Sequence, residues 1–273
     1  MRVMNDKIHL FLEEKIALVF AGVLFFWLLA KNIGLSIQIG VAAGLLLFSI
    51  SMCTDKQGYW ISFRHLSLYL FLFFMYESIV RIIPALERPI FDAQLLEIDR
   101  ALFGETPSLL FSPHPLLSEV MSAGYLSYHL YIYGTVLFFL WRRPAYGSFF
   151  FRYLFSGFTF GLIGYVCIPA KGPFIAYADL FSVEITGWWL TKWNAFLVSN
   201  GSPVYDVFPS LHVLMTLIML DFDWQHRRVI FWFMLPIVCI LLTSTLYLRY
   251  HYALDLVAGV VVFLGVRQWI RKE

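Results

Sequence analysis

Charge is scarce in this sequence: Asp, Glu, Lys and Arg together make up 14% of its 273 residues. A soluble domain carries roughly 25%, so the chain lacks the polar cover that water demands on every side. The net charge of +2 is too small to hold a polyanion, which argues against nucleic acid as a partner. Cysteine is sparse as well. Cys53, Cys167 and Cys239 lie far apart, in or beside apolar runs, and that pattern suggests neither a disulfide framework nor a metal site. Internal repeats, low-complexity tracts and any separate polar domain are missing too. No small-residue cleavage site follows the first apolar run, so that run is expected to stay as a membrane helix rather than leave as a signal peptide.

What is abundant is apolar surface. Hydrophobic residues make up 60% of the chain and aromatics 19%, with a mean hydropathy of +0.74. A membrane span needs about 20 mostly apolar residues. Eight stretches qualify, roughly 14–30, 33–51, 62–83, 116–140, 149–168, 208–222, 229–248 and 251–269. The expected fold is an all-α integral membrane bundle of about eight transmembrane helices (six to eight, since 208–222 is short and the gap before 33 is tight). With eight spans, thirteen of the 20 Lys and Arg fall on one side and seven on the other. The richer side is expected to be cytoplasmic, with both termini inside.

Two long segments lie on the poorer, outer side. The first, "PALERPIFDAQLLEIDRALFGETPSLLFSPHP", mixes charged and apolar residues at helical spacing; Asp92, Glu97 and Asp99 are expected on a solvated helix face. The second contains "ITGWWLTKWNAFLVSN", in which Trp188, Trp189 and Trp193 beside Lys192 suit a short interfacial helix. That helix is either an anchor or the wall of a lipid site. Elsewhere, His129 among the tyrosines of "YLSYHLYIYG" reads as a buried histidine hydrogen-bonded to a tyrosine. Glu77 and Arg81 are spaced for an ion pair, and His114 sits in a proline-flanked loop.

Both remaining histidine motifs belong to the outer side. His212 opens the sixth span in "FPSLHVLMTLIML", and His251 opens the eighth in "YLRYHYALDLVAGV". One helix inward and one outward separate them, which returns the chain to its starting level at 1.5 Å per residue. His251 and Asp255, four apart, share a helix face. The carboxylate can fix the imidazole tautomer and leave Nε2 free as a nucleophile or base, or the pair can simply hold the helix start. Pro209 and Ser210 place a turn and a hydroxyl at a helix N-terminus, which binds anions. Arg249 and Lys171 of "PAKGPF" add cations. Ionisable groups at membrane depth are usually functional, and this set describes a phosphate site with its chemistry attached.

These residues resemble the type 2 phosphatidic acid phosphatase superfamily, whose motifs include Pro-Ser-Gly-His and Ser-Arg, five residues, His, three residues, Asp. "PSLH" (209–212) matches the first with Leu211 in place of Gly; "STLYLRYHYALD" (244–255) matches the second with Thr245 in place of Arg. The superfamily's Lys, six residues, Arg-Pro motif is absent. "FPSLH", "YLRYHY" and "FDAQLLEIDRALFG" look closer to the inositol phosphorylceramide synthase branch. The resemblance covers roughly residues 90–265, dividing the chain into N-terminal transmembrane helices (1–85) and a phosphatase/phosphotransferase-like membrane domain (86–273) within one structural unit. It implies a six-helix phosphatase-type core.

It further implies that His251 attacks phosphorus, Asp255 orients it and His212 protonates the leaving oxygen. Lys171, Arg249, Ser210 and Ser244 would bind phosphate, with no metal or other cofactor required. The substrate would be a phospholipid or polyprenyl phosphate. The phosphoryl group would pass to water, as in a lipid phosphatase, or to a lipid alcohol acceptor, as in a head-group transferase, at the extracytoplasmic face. A non-catalytic phospholipid carrier using the same basic pocket is the rival.

Overall fold

The computed structural model describes residues 10–32, 34–52, 58–85, 87–142, 146–201 and 204–272. Each of the eight apolar stretches is a helix. These are α1 (Leu12–Ala30), α2 (Leu35–Met52), α3 (Gly58–Ala85), α5 (Pro115–Arg142), α6 (Gly147–Cys167), α9 (Leu211–His226), α10 (Arg228–Tyr247) and α11 (Ala253–Ile270). Shorter helices α4 (Asp92–Phe103), α7 (Pro173–Ala176) and α8 (Trp189–Gly201) lie in the two long connecting segments. Among the described residues there is no strand. By length and composition alone, α6, α10 and α11 are apolar enough to cross a membrane. The remaining long helices carry polar side chains into the bundle: α5 has buried Ser118, Ser122 and Thr135, and α9 has buried Thr216 and Asp223.

Helices gain little from apolar burial against one another when lipid is the alternative, so close backbone approach has to hold them together. α6 is built for that. Gly157, Gly161 and Gly164 line one face, where a Cβ would collide with Ile218, Leu211 and Pro209 respectively. α9 and the turn before it therefore lie directly on α6. α11 packs on α6 and α9, α10 on α9 and α5, and α3 on α6 and α5, giving a six-helix core. α1 packs on α6, and α2 on α1 and α3. One continuous apolar cluster runs from Ala17 to Ile270, so α1, α2 and α3 share the core of the later helices. At one end of the bundle, the buried Glu14 of α1 forks onto the buried Arg64 of α3.

The outward faces are apolar. Val229, Trp232 and Phe233 of α10, Val261 of α11, and Val23 and Phe26 of α1 are exposed, as expected of surfaces that meet lipid. Trp188, Trp189 and Trp193 are also exposed at α8. The start of α8 is held by Glu119 of α5, whose carboxylate accepts the backbone N–H groups of Trp188, Leu190 and Thr191 at 2.6, 3.0 and 3.0 Å.

The expectation for α4 needs correction. Glu97 is exposed, but Asp92 and Asp99 are buried. Seven residues apart, they share one face of α4, and that face is turned inward onto backbone donors rather than toward water. His114 does lie in the loop before α5. His129 differs from its expected hydrogen bond: its Nδ1 has no partner among the described residues, and its contacts with Tyr128 and Tyr133 are between rings. The Arg81 side chain, and with it the expected Glu77 pair, lies outside the described residues.

Candidate active site

The turn from Leu248 to Tyr252 carries the second histidine motif, and its shape comes from α10. The N–H groups of Tyr250 and His251 both donate to the carbonyl of Thr245, at 3.0 and 3.2 Å. Arg249 takes a left-handed conformation with φ 66° to let the chain double back. α11 then begins at Ala253, and Asp255 accepts the N–H of Tyr252 at 2.7 Å. This bond satisfies one of the donors left open at a helix start.

The first histidine motif meets the second here. Ser210 caps α9 by accepting the N–H of Val213 at 3.4 Å, and its own N–H donates to the carbonyl of Asp255 at 3.0 Å. Gly259 permits the approach, since a Cβ there would lie 2.9 Å from the Ser210 carbonyl oxygen. His251 Nδ1 lies 3.3 Å from Asp255 Oδ2; its Nε2 lies 3.4 Å from His212 Nδ1 and 3.4 Å from Ser210 Oγ. The two imidazoles meet edge to face with centroids 5.5 Å apart. His212 is in turn flanked by the rings of Tyr125 and Tyr128, each at 4.6 Å.

Lys171, Asp206, Tyr125, Phe174 and Tyr250 join the two histidines around a pocket of about 90 Å³. Gly172, with φ 81°, adopts a conformation that L side chains rarely take, and a Cβ there would strike the Tyr250 carbonyl. The loop holding Lys171 is thereby pressed against the histidine turn.

Two further carboxylates brace this assembly. Asp92 accepts the backbone N–H groups of Lys171 (2.9 Å) and Gly172 (2.9 Å) and the hydroxyl of Tyr252 (2.9 Å). Asp99 accepts the N–H groups of Ala253 and Leu254 at 2.9 and 3.0 Å and the Thr106 hydroxyl at 3.0 Å. The Ser108 hydroxyl donates to the His251 carbonyl at 3.2 Å. α4 thus fixes both the lysine loop and the start of α11.

Four of the sequence-expected residues, His212, His251, Asp255 and Ser210, come together, with Lys171 on the same pocket. Two do not. Ser244 is buried inside α10 and donates its hydroxyl to the Leu241 carbonyl at 2.6 Å. Arg249 points into a neighbouring cavity, where burial lowers the basicity of its guanidinium. Asp206, which accepts the Tyr76 hydroxyl at 2.6 Å, is on the pocket without having been anticipated. Its place beside "FPSLH" was the available signal. Among the described residues, no group of three His, Cys, Asp or Glu side chains is disposed to hold a metal ion.

An all-helical bundle with apolar outer faces and a histidine-based polar site buried at one end defines an integral-membrane protein. The chain belongs to the PAP2 superfamily: the sequence model of that family matches residues 93–268, a span that contains Lys171, Ser210, His212, His251 and Asp255. It is therefore a phosphatase-type lipid phosphoesterase in the general sense, a class that acts on lipid phosphates. No curated protein and no solved structure matches the chain.

Proposed function

We propose that the protein cleaves a lipid phosphoester through a phosphohistidine at His251, without a metal, and passes the phosphoryl group to water or to a hydroxyl acceptor. The observation that carries this reading is the placement of one imidazole nitrogen. His251 Nε2 faces His212 and Ser210, while Nδ1 is held by Asp255. With its proton on Nδ1, the imidazole keeps a lone pair on Nε2 directed into the pocket.

In the first step that lone pair bonds to phosphorus as the ester P–O bond breaks, and His212 gives a proton to the departing lipid oxygen. In the second, His212 takes the proton of the incoming O–H, whose oxygen bonds to phosphorus as the P–N bond breaks. Lys171, the Ser210 hydroxyl and the N-terminus of α9 supply the positive field for the phosphoryl oxygens. The surplus of Lys and Arg on the opposite side supports an extracytoplasmic site with cytoplasmic termini.

The test uses purified protein in mixed micelles with labelled phosphatidate, phosphatidylinositol and polyprenyl pyrophosphate, each with and without diacylglycerol or ceramide. Turnover of at least one donor is expected, with His251→Ala reducing it by at least about a thousandfold. EDTA should leave activity in place, and millimolar orthovanadate should inhibit. Free phosphate or a free phosphorylated headgroup indicates hydrolysis; a new phospholipid formed only with acceptor indicates transfer. Activity retained by His251→Ala, or lost to EDTA and restored by a divalent metal, contradicts the scheme.

A further inference from the structure

At the end of α11 away from the histidines, the outward face of the helix changes character. Val257, Val260, Val261 and Leu264 are exposed and apolar, and the next turns of that face carry Arg267, Gln268, Arg271 and Lys272. Steps of three and four residues keep all of them on one side of a helix. Arg271 still has helical backbone angles (φ −80°, ψ −14°), so the register holds past Ile270. Leu264 and the four polar residues line an open concavity of about 450 Å³.

The cations there exceed what the fold uses. Asp221 of α9, whose side chain is 9% exposed, accepts Arg267 Nε at 3.0 Å and an Arg271 terminal nitrogen at 3.3 Å. The same carboxylate accepts Gln225 Nε2 at 3.0 Å and the Tyr153 hydroxyl at 3.4 Å, which holds it in place. One buried acid thus orients two guanidinium groups, yet neutralises only one of the three charges on Arg267, Arg271 and Lys272. Their other N–H groups have no protein acceptor among the described residues. Cations favour a helix C-terminus and set the orientation of a membrane chain. Neither role needs two of them fixed by a buried carboxylate at the edge of a concavity.

A guanidinium is a planar fork that matches a phosphate, and these two are pre-oriented. The apolar stripe from Val257 to Leu264 continues about 10 Å into the bilayer at 1.5 Å per residue, alongside the upper part of an acyl chain. A zwitterionic headgroup would bring its own ammonium to the same cations, and a second copy of this face would bring like charge. An anionic lipid meets neither penalty.

We propose that this face binds one anionic phospholipid of the leaflet at this end, its phosphate on Arg267, Arg271 and Lys272 and a chain along Val257–Leu264. Under the orientation proposed above this is the cytoplasmic leaflet, where anionic lipids are found. The site is separate from the histidine pocket and does not depend on the phosphoester reading.

The test is native mass spectrometry of the full chain in detergent, titrated with dioleoyl phosphatidylglycerol and with dioleoyl phosphatidylcholine. Each cation near a lipid surface is worth about fivefold in affinity. Arg271→Gln/Lys272→Gln, which leaves the Arg267–Asp221 pair intact, should therefore lower the preference for phosphatidylglycerol at least tenfold. Arg142→Gln/Arg228→Gln removes the same charge from exposed positions on α5 and α10 and should leave the preference within threefold. A second measurement needs no variant: phosphatidylglycerol with a diazirine in its acyl chain is photolysed in phosphatidylcholine nanodiscs, and the labelled peptides are mapped. Label concentrated on residues 257–268 supports the site. Label spread evenly over the lipid-facing helices, or an equal loss in both double variants, shows only a general attraction to basic charge and overturns it. Label on α8 or the histidine turn, with the preference intact in Arg271→Gln/Lys272→Gln, puts the lipid in the histidine pocket and also overturns it. A dimer abolished by that double variant would assign the face to a second copy instead.

Discussion

A carboxylate that accepts two backbone N–H groups at a helix start fixes where that helix begins. Asp99 does this for α11 from another element, holding Ala253 and Leu254 two and three residues beyond His251. Its removal should shift the histidine rather than delete any reacting group, and a misplacement of about 1 Å costs on the order of a hundredfold in rate. Asp99→Ala is therefore expected to lower kcat about a hundredfold with a smaller change in KM, and Asp99→Asn, which keeps one acceptor oxygen, should recover part of the loss. Steady-state kinetics on the donor identified above checks it; equal kcat for Ala and wild type refutes the bracing role. The histidine pair and Asp255 were legible in the sequence because their spacing and membrane level are local facts. Asp92 and Asp99 were not. A charged stripe on a short helix looks the same whether it faces water or backbone N–H groups supplied by residues about 80 and 155 positions away. Ser244 and Arg249 failed to join the pocket for a different reason: motif register specifies order along the chain, whereas the tight turn at Arg249 decides which side chain faces which cavity.

At the scale of elements, the glycine face of α6 sets how deep α9 sits, and so where His212 stands relative to His251. Gly161 is covered by Leu211, the residue next to His212. Overpacking a filled contact costs about 1–3 kcal/mol, and here the strain has to be relieved by moving the start of α9. Gly161→Leu should lower thermal stability in detergent and reduce turnover together. Gly134→Leu in α5, where a new Cβ meets nothing within 4 Å, is the control and should change neither. Full activity in Gly161→Leu would show that α9 is positioned by something other than this contact. The helices themselves were legible, since all eight apolar stretches became helices with ends close to those expected. Their packing order was not, because lipid-facing and helix-facing apolar residues look alike in a chain with a surplus of both.

At the scale of the molecule, polar groups divide between two ends. At the N-terminal ends of α9 and α11, the two histidines and Lys171 line a pocket, with Ser210 and Asp255 buried against His251. At their C-terminal ends, the acids are engaged by arginines. Arg227 Nε donates to Asp223 at 2.6 Å, Arg267 Nε donates to Asp221 at 3.0 Å, and Arg271 reaches the same carboxylate at 3.3 Å. The exposed Lys272 adds to the excess there. A surplus of Lys and Arg keeps a loop on the cytoplasmic side during insertion, so the pocket end should face outward. Single-cysteine reporters in a cysteine-free background test this directly. Ser182→Cys, exposed near the pocket end, should react with a membrane-impermeant maleimide in intact cells, whereas Lys272→Cys should react only after permeabilisation. The opposite pattern would put the chemistry on the cytoplasmic face, where a soluble phosphorylated donor or acceptor reaches the histidines without crossing the bilayer.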